Sequence, residues 1–172
     1  IPVLLANKNA QPERDQWLAF RRETTNEFYR LISDKIREGN SNCHLRYNDT
    51  HSYGRRDLED FGFHLNEVAP YLGSVVNQDH EEQKGNEDET FEWRRTWLER
   101  NRALIGSDMP LLCGVGTRMK ATPELIRRGI RVALESPADI DGLVLKHYDG
   151  ASFSHMRAFK QGMIEGGVKG LT

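Results

Sequence analysis

The sequence has few cysteines and no long apolar run, and these two absences limit what the chain can be. Its 172 residues include two cysteines, Cys43 and Cys113, and two cysteines do not make a disulfide framework. Both lie in stretches that we interpret as buried strands, so we expect packed free thiols. No apolar run approaches the roughly 20 residues of a membrane-spanning helix. The start, IPVLLANKN, lacks the regions of a signal peptide, and the missing Met predicts a processed or fragmentary product.

The sequence also lacks an excess of basic residues and the short motifs of several enzyme classes. It has 24 Lys and Arg against 26 Asp and Glu, a net charge of −2, whereas nucleic-acid-binding domains carry a basic stripe or a high pI. The patterns GxGxxG, GxxxxGK[ST], GxSxG, HExxH and CxxC are absent, which argues against nucleotide binding, serine hydrolases and zinc proteases. We expect no nucleic acid, no membrane and no cofactor as partners.

Short apolar runs alternate with longer amphipathic stretches along the chain. The predicted strands are residues 1–7, 43–49, 71–80, 109–116 and 141–149. The predicted helices are residues 15–38, 57–68, a helix opening near 86–89, a helix from 122, and 153–165. Thr122 followed by Pro123 is a strong helix start, and Asn86 with Glu89 has the spacing of a capping box.

The length suits one domain, and we predict a single α/β unit over residues 1–172.

This order of strands and helices predicts a mainly parallel sheet. Two architectures fit it. One is a five-stranded doubly wound open sheet. The other is the C-terminal five βα units of a TIM (β/α)₈ barrel, which typically needs about 250 residues. The order and spacing of the strands and helices do not decide between the open sheet and the barrel.

Polar side chains follow the predicted strands, and in both architectures ligands bind at the carboxyl ends of the strands. The candidate rim residues are Tyr47, Asn48, Asp49, His51, Asn77, Asp79, His80, Arg118, Lys146, His147, Tyr148 and Asp149. Lys146 and His147 would point to opposite faces if the strand continued through them, so at most one would face a ligand. Asp49 before Thr50 equally fits a turn or cap residue.

Several stretches resemble the closing units of glycoside-hydrolase-like (β/α)₈ barrels, without matching one particular family. They are PLLCGVGTR, ATPELIRRGIRVALE and ADIDGLVLKHYDGASFSHMRAFKQGM. The earlier DQWLAFRRETTNEFYRLISDKIREGNSNCHLRYND is similar to the helix and strand that follow the fourth barrel strand. The resemblance covers most of the chain. It implies a barrel, a carbohydrate substrate, hydrolysis of glycosidic bonds, and a secreted or periplasmic location.

The resemblance also implies a pair of catalytic carboxylates. Many such proteins carry a nucleophilic Glu after the seventh strand, but the equivalent strand here ends in Gly116-Thr117-Arg118. Other sugar-cleaving barrels carry the acid/base after strand six and the nucleophile after strand four, which implies Asp79 as the acid/base and a nucleophile near or before residue 9. Alternatively, Asp79 and Asp49 on the neighbouring strand form the catalytic pair. The remaining rim residues would bind the sugar: Tyr47, Asn48, His51, Asn77, His80, Arg118, Lys146, His147, Tyr148 and Asp149.

Two other functions remain open from the sequence. His51, His80 and Asp149 are ligand types that zinc or manganese accepts, which would make the chain a metal-dependent hydrolase. Alternatively, the chain is a non-catalytic sugar-binding barrel fragment, since a carboxylate is missing after Gly116. Five βα units would leave an unpaired sheet edge, so we expect pairing with a missing N-terminal barrel segment or with a second chain.

Overall fold

The computed structural model describes residues 12–49, 62–78, 88–118 and 120–170, without the side chains of residues 88–90 and 148. The first predicted strand, residues 1–7, lies outside this part. The described residues fold as two compact units. The first contains residues 12–45 and 62–73, and the second contains residues 46–49, 74–78, 88–118 and 120–170.

Helices and strands alternate along the described chain, as predicted. In chain order they are α1 Glu13–Gly39, β1 Leu45–Asp49, α2 Leu65–Val68, a 3-10 turn Ala69–Tyr71, β2 Leu72–Gln78, α3 Asp88–Ile105, β3 Leu111–Gly116, α4 Pro123–Leu134, β4 Gly142–Lys146, a 3-10 turn Tyr148–Gly150, and α5 Phe153–Glu165. The bounds of α5 match the prediction. Within the described residues no helix is long and apolar enough to cross a membrane.

In the first unit, α1 packs against α2 through an ionic contact and against the residue pair before α2 through an aromatic contact. Glu67 on α2 accepts hydrogen bonds from the guanidinium of Arg22 and, at 2.7 Å, from the Asn26 amide. The ring of Tyr29 lies against Phe63, with 5.6 Å between ring centroids. Other apolar side chains of α1 stay exposed, namely Phe20, Phe28 and Leu31.

The sheet of the second unit is four-stranded, with the order β1-β2-β3-β4. β2 pairs parallel with β3, where Asn77 lies opposite Cys113, and β3 pairs parallel with β4, where Val115 lies opposite Leu145. The prediction of an α/β fold with a parallel sheet is therefore confirmed. The strand order follows the chain order throughout the described strands, whereas a doubly wound sheet reverses its order at a switch point.

Helices α3, α4 and α5 form one layer against the sheet. α4 contacts both α3 and α5, and α3 and α4 contact β3. Val115 of β3 is fully buried in a core with Ile126, Ile130 and Ala158. Right-handed crossovers between sequential parallel strands place consecutive helices on the same side. We call this side the helical face and the other the opposite face.

Alternation along the strands assigns residues to the two faces. Val115 belongs to the helical face, and so do Leu111, Cys113 and, by register, Leu143 and Leu145. The opposite face therefore carries the other residues of β3 and β4, which are Leu112, Gly114, Gly116, Gly142, Val144 and Lys146. In β2 the register puts Asn77 on the helical face and Gln78 on the opposite face.

Local signals account for two helix starts. The Thr122 hydroxyl accepts a hydrogen bond from the amide of Leu125 at 3.2 Å, so the predicted cap of α4 is confirmed. Ser152 caps α5, and His155 completes a reciprocal capping box with it.

Cys113 is a buried free thiol as expected, but the burial predicted for Cys43 is wrong. Cys43 is exposed because β1 begins two residues after it, at Leu45.

One arginine ties the loops before β3 and β4 to the last turn of α3. All five N–H groups of the Arg102 guanidinium donate hydrogen bonds of 2.8 Å. The acceptors are the carbonyl oxygens of Gly106, Met109, Ala138 and Asp139 and the carboxylate of Asp141. The same carboxylate accepts the amide of Leu111 at 2.8 Å. We call this arrangement the Arg102 clamp; it lies at the amino ends of the two strands.

Candidate functional site

The carboxyl end of β4 is fixed by a buried hydroxyl. Thr117, fully buried just after β3, has its Oγ1 at 2.7 Å from the carbonyl oxygen of Lys146 and 2.9 Å from that of His147. His147 then adopts a left-handed backbone with φ of 61°, which is uncommon for a residue other than glycine. The strand therefore ends at Lys146, and strand alternation does not extend to His147.

Lys146 lies across a glycine on the opposite face of the sheet. A Cβ built on Gly114 would lie 3.1 Å from the Lys146 Cε and 3.3 Å from its Cγ. The missing side chain at Gly114 thus leaves room for the lysine stem. Burial lowers the pKa of Lys146, and the positive charge of Arg46 lowers that pKa further.

Arg46 of β1 is an exposed cation. Its positive charge is the second cause, after burial, of the lowered pKa of Lys146. Within the part of the chain that the structure describes, neither side chain makes a hydrogen bond or ion pair with an acid. Our list of candidate site residues omitted Arg46. Alternation could have found it, because residues 46 and 48 of a strand share one face and residues 47 and 49 share the other.

Asp49 is buried against the helical layer. It is 2% exposed, and its carboxylate accepts a hydrogen bond of 2.7 Å from the side-chain amide of Asn101 on α3. Asn77 is also buried and, by register with Cys113, belongs to the same face. The structure therefore places Asp49 and Asn77 between sheet and helices. Alternation puts Asp49 on the other side of β1 from Arg46.

Arg118 and Asp149 form an ion pair at the carboxyl edge. Both are substantially exposed, so the pair itself contributes little to stability. The Arg118 stem lies against Gly150, since a Cβ built there would lie 2.9 Å from the Arg118 Cγ. The pair joins the chain after β3 to the 3-10 turn after β4, so these two predicted site residues do come together.

The other predicted site residues divide into three groups. Tyr47 is half-buried and Asn48 is exposed, on alternate positions of β1. Tyr148 begins the 3-10 turn after β4, and its side chain is not among those described. His51, Asp79 and His80 lie outside the described residues. The prediction that Asp79 and Asp49 act as a catalytic pair therefore stays a prediction.

A metal centre has no support among the described residues. They contain no group of three or more His, Cys, Asp and Glu side chains that could hold a metal ion. Of the three predicted ligands only Asp149 is described, and its carboxylate pairs with Arg118. The metal-dependent hydrolase therefore depends on residues 51 and 80 alone for its other ligands.

Comparison of the chain with protein-family models, with curated proteins and with solved structures found no match.

Proposed function

We propose that the chain forms C-terminal βα units of a (β/α)₈ barrel and hydrolyses glycosidic bonds in a carbohydrate substrate. The observation that supports the barrel is the strand order β1-β2-β3-β4 with consecutive helices in one layer. A barrel winds in one direction and keeps chain order around the sheet, whereas a doubly wound sheet reverses. The reaction itself rests on the resemblance of the strand ends to glycoside-hydrolase-like barrels.

The substrate would bind at the carboxyl ends of the strands, on the opposite face, which becomes the barrel interior once the sheet closes. Asp79 follows directly after Gln78, the last residue of β2, and is the general acid/base in this proposal. Asp49, buried and held by Asn101, fits a positioning role better than contact with the sugar. The second catalytic carboxylate would then come from another strand end.

A closed barrel requires further strands beside β1 and β4, since parallel edges with apolar faces need cover. An N-terminal segment of the same protein or a second chain would supply them. Native mass, compared with the mass of the denatured chain, tests this point. An assembly larger than one chain supports completion by a partner, whereas a stable monomer of 172 residues contradicts it.

The reaction is tested with a panel of neutral chromogenic glycosides and the variant Asp79→Asn. General acid/base groups contribute about 10²–10⁴-fold, so the variant should lose at least about 100-fold in kcat/KM while keeping its fold. Asp108→Asn is the matched control, because Asp108 is exposed before the amino end of β3. Full activity of Asp79→Asn would refute the assignment.

A further inference from the structure

We propose that the amine of Lys146 is a nucleophile that forms a Schiff base with an aldehyde or a ketone at the carboxyl end of the opposite face. The inference goes beyond the proposed function, because hydrolysis of a glycosidic bond needs no covalent bond between substrate and lysine. It uses only the position of the strand end, where open α/β sheets and barrels alike bind their ligands.

The first argument is the place of the lysine in the sheet. Lys146 is the last residue of β4, and strand alternation puts it on the opposite face. Towards its carboxyl end, β3 carries only glycines on that face, Gly114 and Gly116, and Gly116 lies directly opposite Lys146 in the register. β3 therefore contributes no side chain that would fill the space beside the lysine.

The second argument is that the lysine is held in place without an acidic partner. Its stem lies against Gly114, where an added Cβ would be 3.1 Å from Cε and 3.3 Å from Cγ. The Thr117 hydroxyl lies 2.7 Å from the carbonyl oxygen of Lys146 and fixes the backbone there. Within the described part of the chain, no carboxylate accepts a hydrogen bond from the Lys146 amine, whereas the exposed Lys35 on α1 pairs with Glu38.

The third argument is the chemical state of the amine. Only a neutral amine has the lone pair that attacks a carbonyl carbon, and exposed lysines are almost fully protonated at neutral pH. Burial is the main cause of the lowered pKa of Lys146, and the charge of the exposed Arg46 is the second. The residues of β2 and β3 on this face are uncharged. The protonation state therefore agrees with the geometry.

The reaction balances without an oxidant or a reductant. The lone pair of the Lys146 Nζ forms a bond to the carbonyl carbon, and the carbonyl oxygen receives a proton, which gives a carbinolamine. The C–O bond then breaks, and both protons of the neutral amine leave with the oxygen as water. The product is a C=N bond between ligand and lysine, which water hydrolyses in the reverse reaction.

The test is trapping with cyanoborohydride on the full chain at neutral pH, with glycolaldehyde and pyruvate as carbonyl probes. Cyanoborohydride transfers a hydride to the carbon of the C=N bond, so the link becomes permanent and peptide masses identify the modified lysine. We expect the Lys146 adduct to saturate with probe concentration. It should form at least about ten-fold faster than adducts on exposed lysines, a difference of 1.4 kcal/mol. The exposed Lys120, Lys160 and Lys169 serve as references within the same molecule.

Three variants test the geometry. Lys146→Arg keeps the positive charge, but a guanidinium forms no Schiff base under these conditions, so this adduct should disappear while the reference lysines react as before. Gly114→Ala puts a methyl group against the lysine stem and should slow the Lys146 adduct several-fold. Gly142→Ala is the matched control, because its Cβ would crowd Leu112 at the same distance of 3.1 Å, near the amino end of β4. It should leave the rate at Lys146 unchanged.

The outcomes identify the ligand class and separate this inference from the proposed function. Trapping of glycolaldehyde alone indicates an aldehyde ligand, and trapping of pyruvate alone indicates a keto acid; either supports the site. Equal rates at Lys146 and the reference lysines would overturn the proposal, as would the absence of a Lys146 adduct. Cleavage of neutral glycosides without a Lys146 adduct would overturn only the inference. A selective adduct on a chain that cleaves no glycoside of the panel would count against only the proposed reaction.

Discussion

The Arg102 clamp offers the sharpest test of what holds the second unit together. Arg102→Met removes the guanidinium but keeps an unbranched apolar stem of similar length. The change deletes five hydrogen bonds, four of them to backbone carbonyl oxygens before β3 and β4. It also leaves the carboxylate of Asp141 with the amide of Leu111 but without its ionic partner.

The expected decrease in the free energy of unfolding follows from the number and the exposure of these hydrogen bonds. A protein hydrogen bond contributes about 0.5–1.5 kcal/mol net, so five give an upper range of about 2.5–7.5 kcal/mol. The Arg102 side chain is 17% exposed, and water can reach part of the freed acceptors. We therefore expect a loss near the lower end, about 3 kcal/mol. With a urea m-value of about 2 kcal/mol/M, the midpoint would fall by about 1.5 M.

Urea unfolding followed by tryptophan fluorescence measures this change directly. Two of the three tryptophans, Trp93 and Trp97, lie on α3 together with the clamp. Arg95→Met is the matched control, because Arg95 on the same helix makes one local ion pair with Glu92, worth about 0.3–0.5 kcal/mol. The loss of stability in Arg102→Lys should fall between those of the two Met variants, since an ammonium has three donors rather than five. A loss in Arg102→Met no larger than that of Arg95→Met would refute the reasoning.

Three further predictions concern stability. Thr122→Ala removes the hydroxyl that caps α4 and should cost about 1 kcal/mol by urea unfolding. The amide of Leu111, and then Arg102, lower the pKa of Asp141; its stabilising effect is complete above about pH 4 and is lost as the pH falls through the lower folded value. Asp141→Asn should therefore flatten the acid limb of stability against pH, and an unchanged limb would contradict this. Burial, and then Arg46 from β1, lower the pKa of Lys146, while β2 and β3 present uncharged residues beside it on that face. Between its folded pKa and about 10.4 the unfolded chain binds more protons, so stability should rise with pH there. Lys146→Met should abolish that rise, and a rise of equal size in the variant would count against the assignment.

Features encoded by neighbouring residues could be predicted from the sequence. The Thr122-Pro123 start of α4 and the bounds of α5 depend on caps within three residues of the helix, and both were found as expected. The parallel sheet also follows from the alternation of apolar runs and amphipathic stretches, because βα units leave few other ways to bury their apolar faces.

Features set by contacts between distant segments could not be predicted. The strand expected to end at residue 149 ends at Lys146, because the Thr117 hydroxyl holds its carbonyl and His147 turns to positive φ. Arg102 lies in the last turn of α3, where a positive charge suits the helix dipole, yet its acceptors include residues 36–39 positions away. No local pattern identifies such partners.

The site could be predicted only in part for the same reason. The sequence indicated which strands are followed by polar residues but not the face on which each residue lies. Asp49 was expected to act with Asp79, whereas Asn101 from α3 holds its buried carboxylate. Arg46, three residues before Asp49, instead contributes to the lowered pKa of Lys146. The face of β1 is decided by which residues α3 covers, and that is a tertiary contact.

The position of the Arg102 clamp has a consequence for how this chain can change during evolution. Its bonds hold the loops that enter β3 and β4, while Lys146 and the Arg118–Asp149 pair lie where those strands leave the sheet. If the proposed function holds, substitutions at the carboxyl ends would alter ligand preference at little cost to folding, whereas substitutions at the amino ends would destabilise the sheet. New specificities would then arise by changes at the carboxyl ends while the Arg102 clamp stays the same.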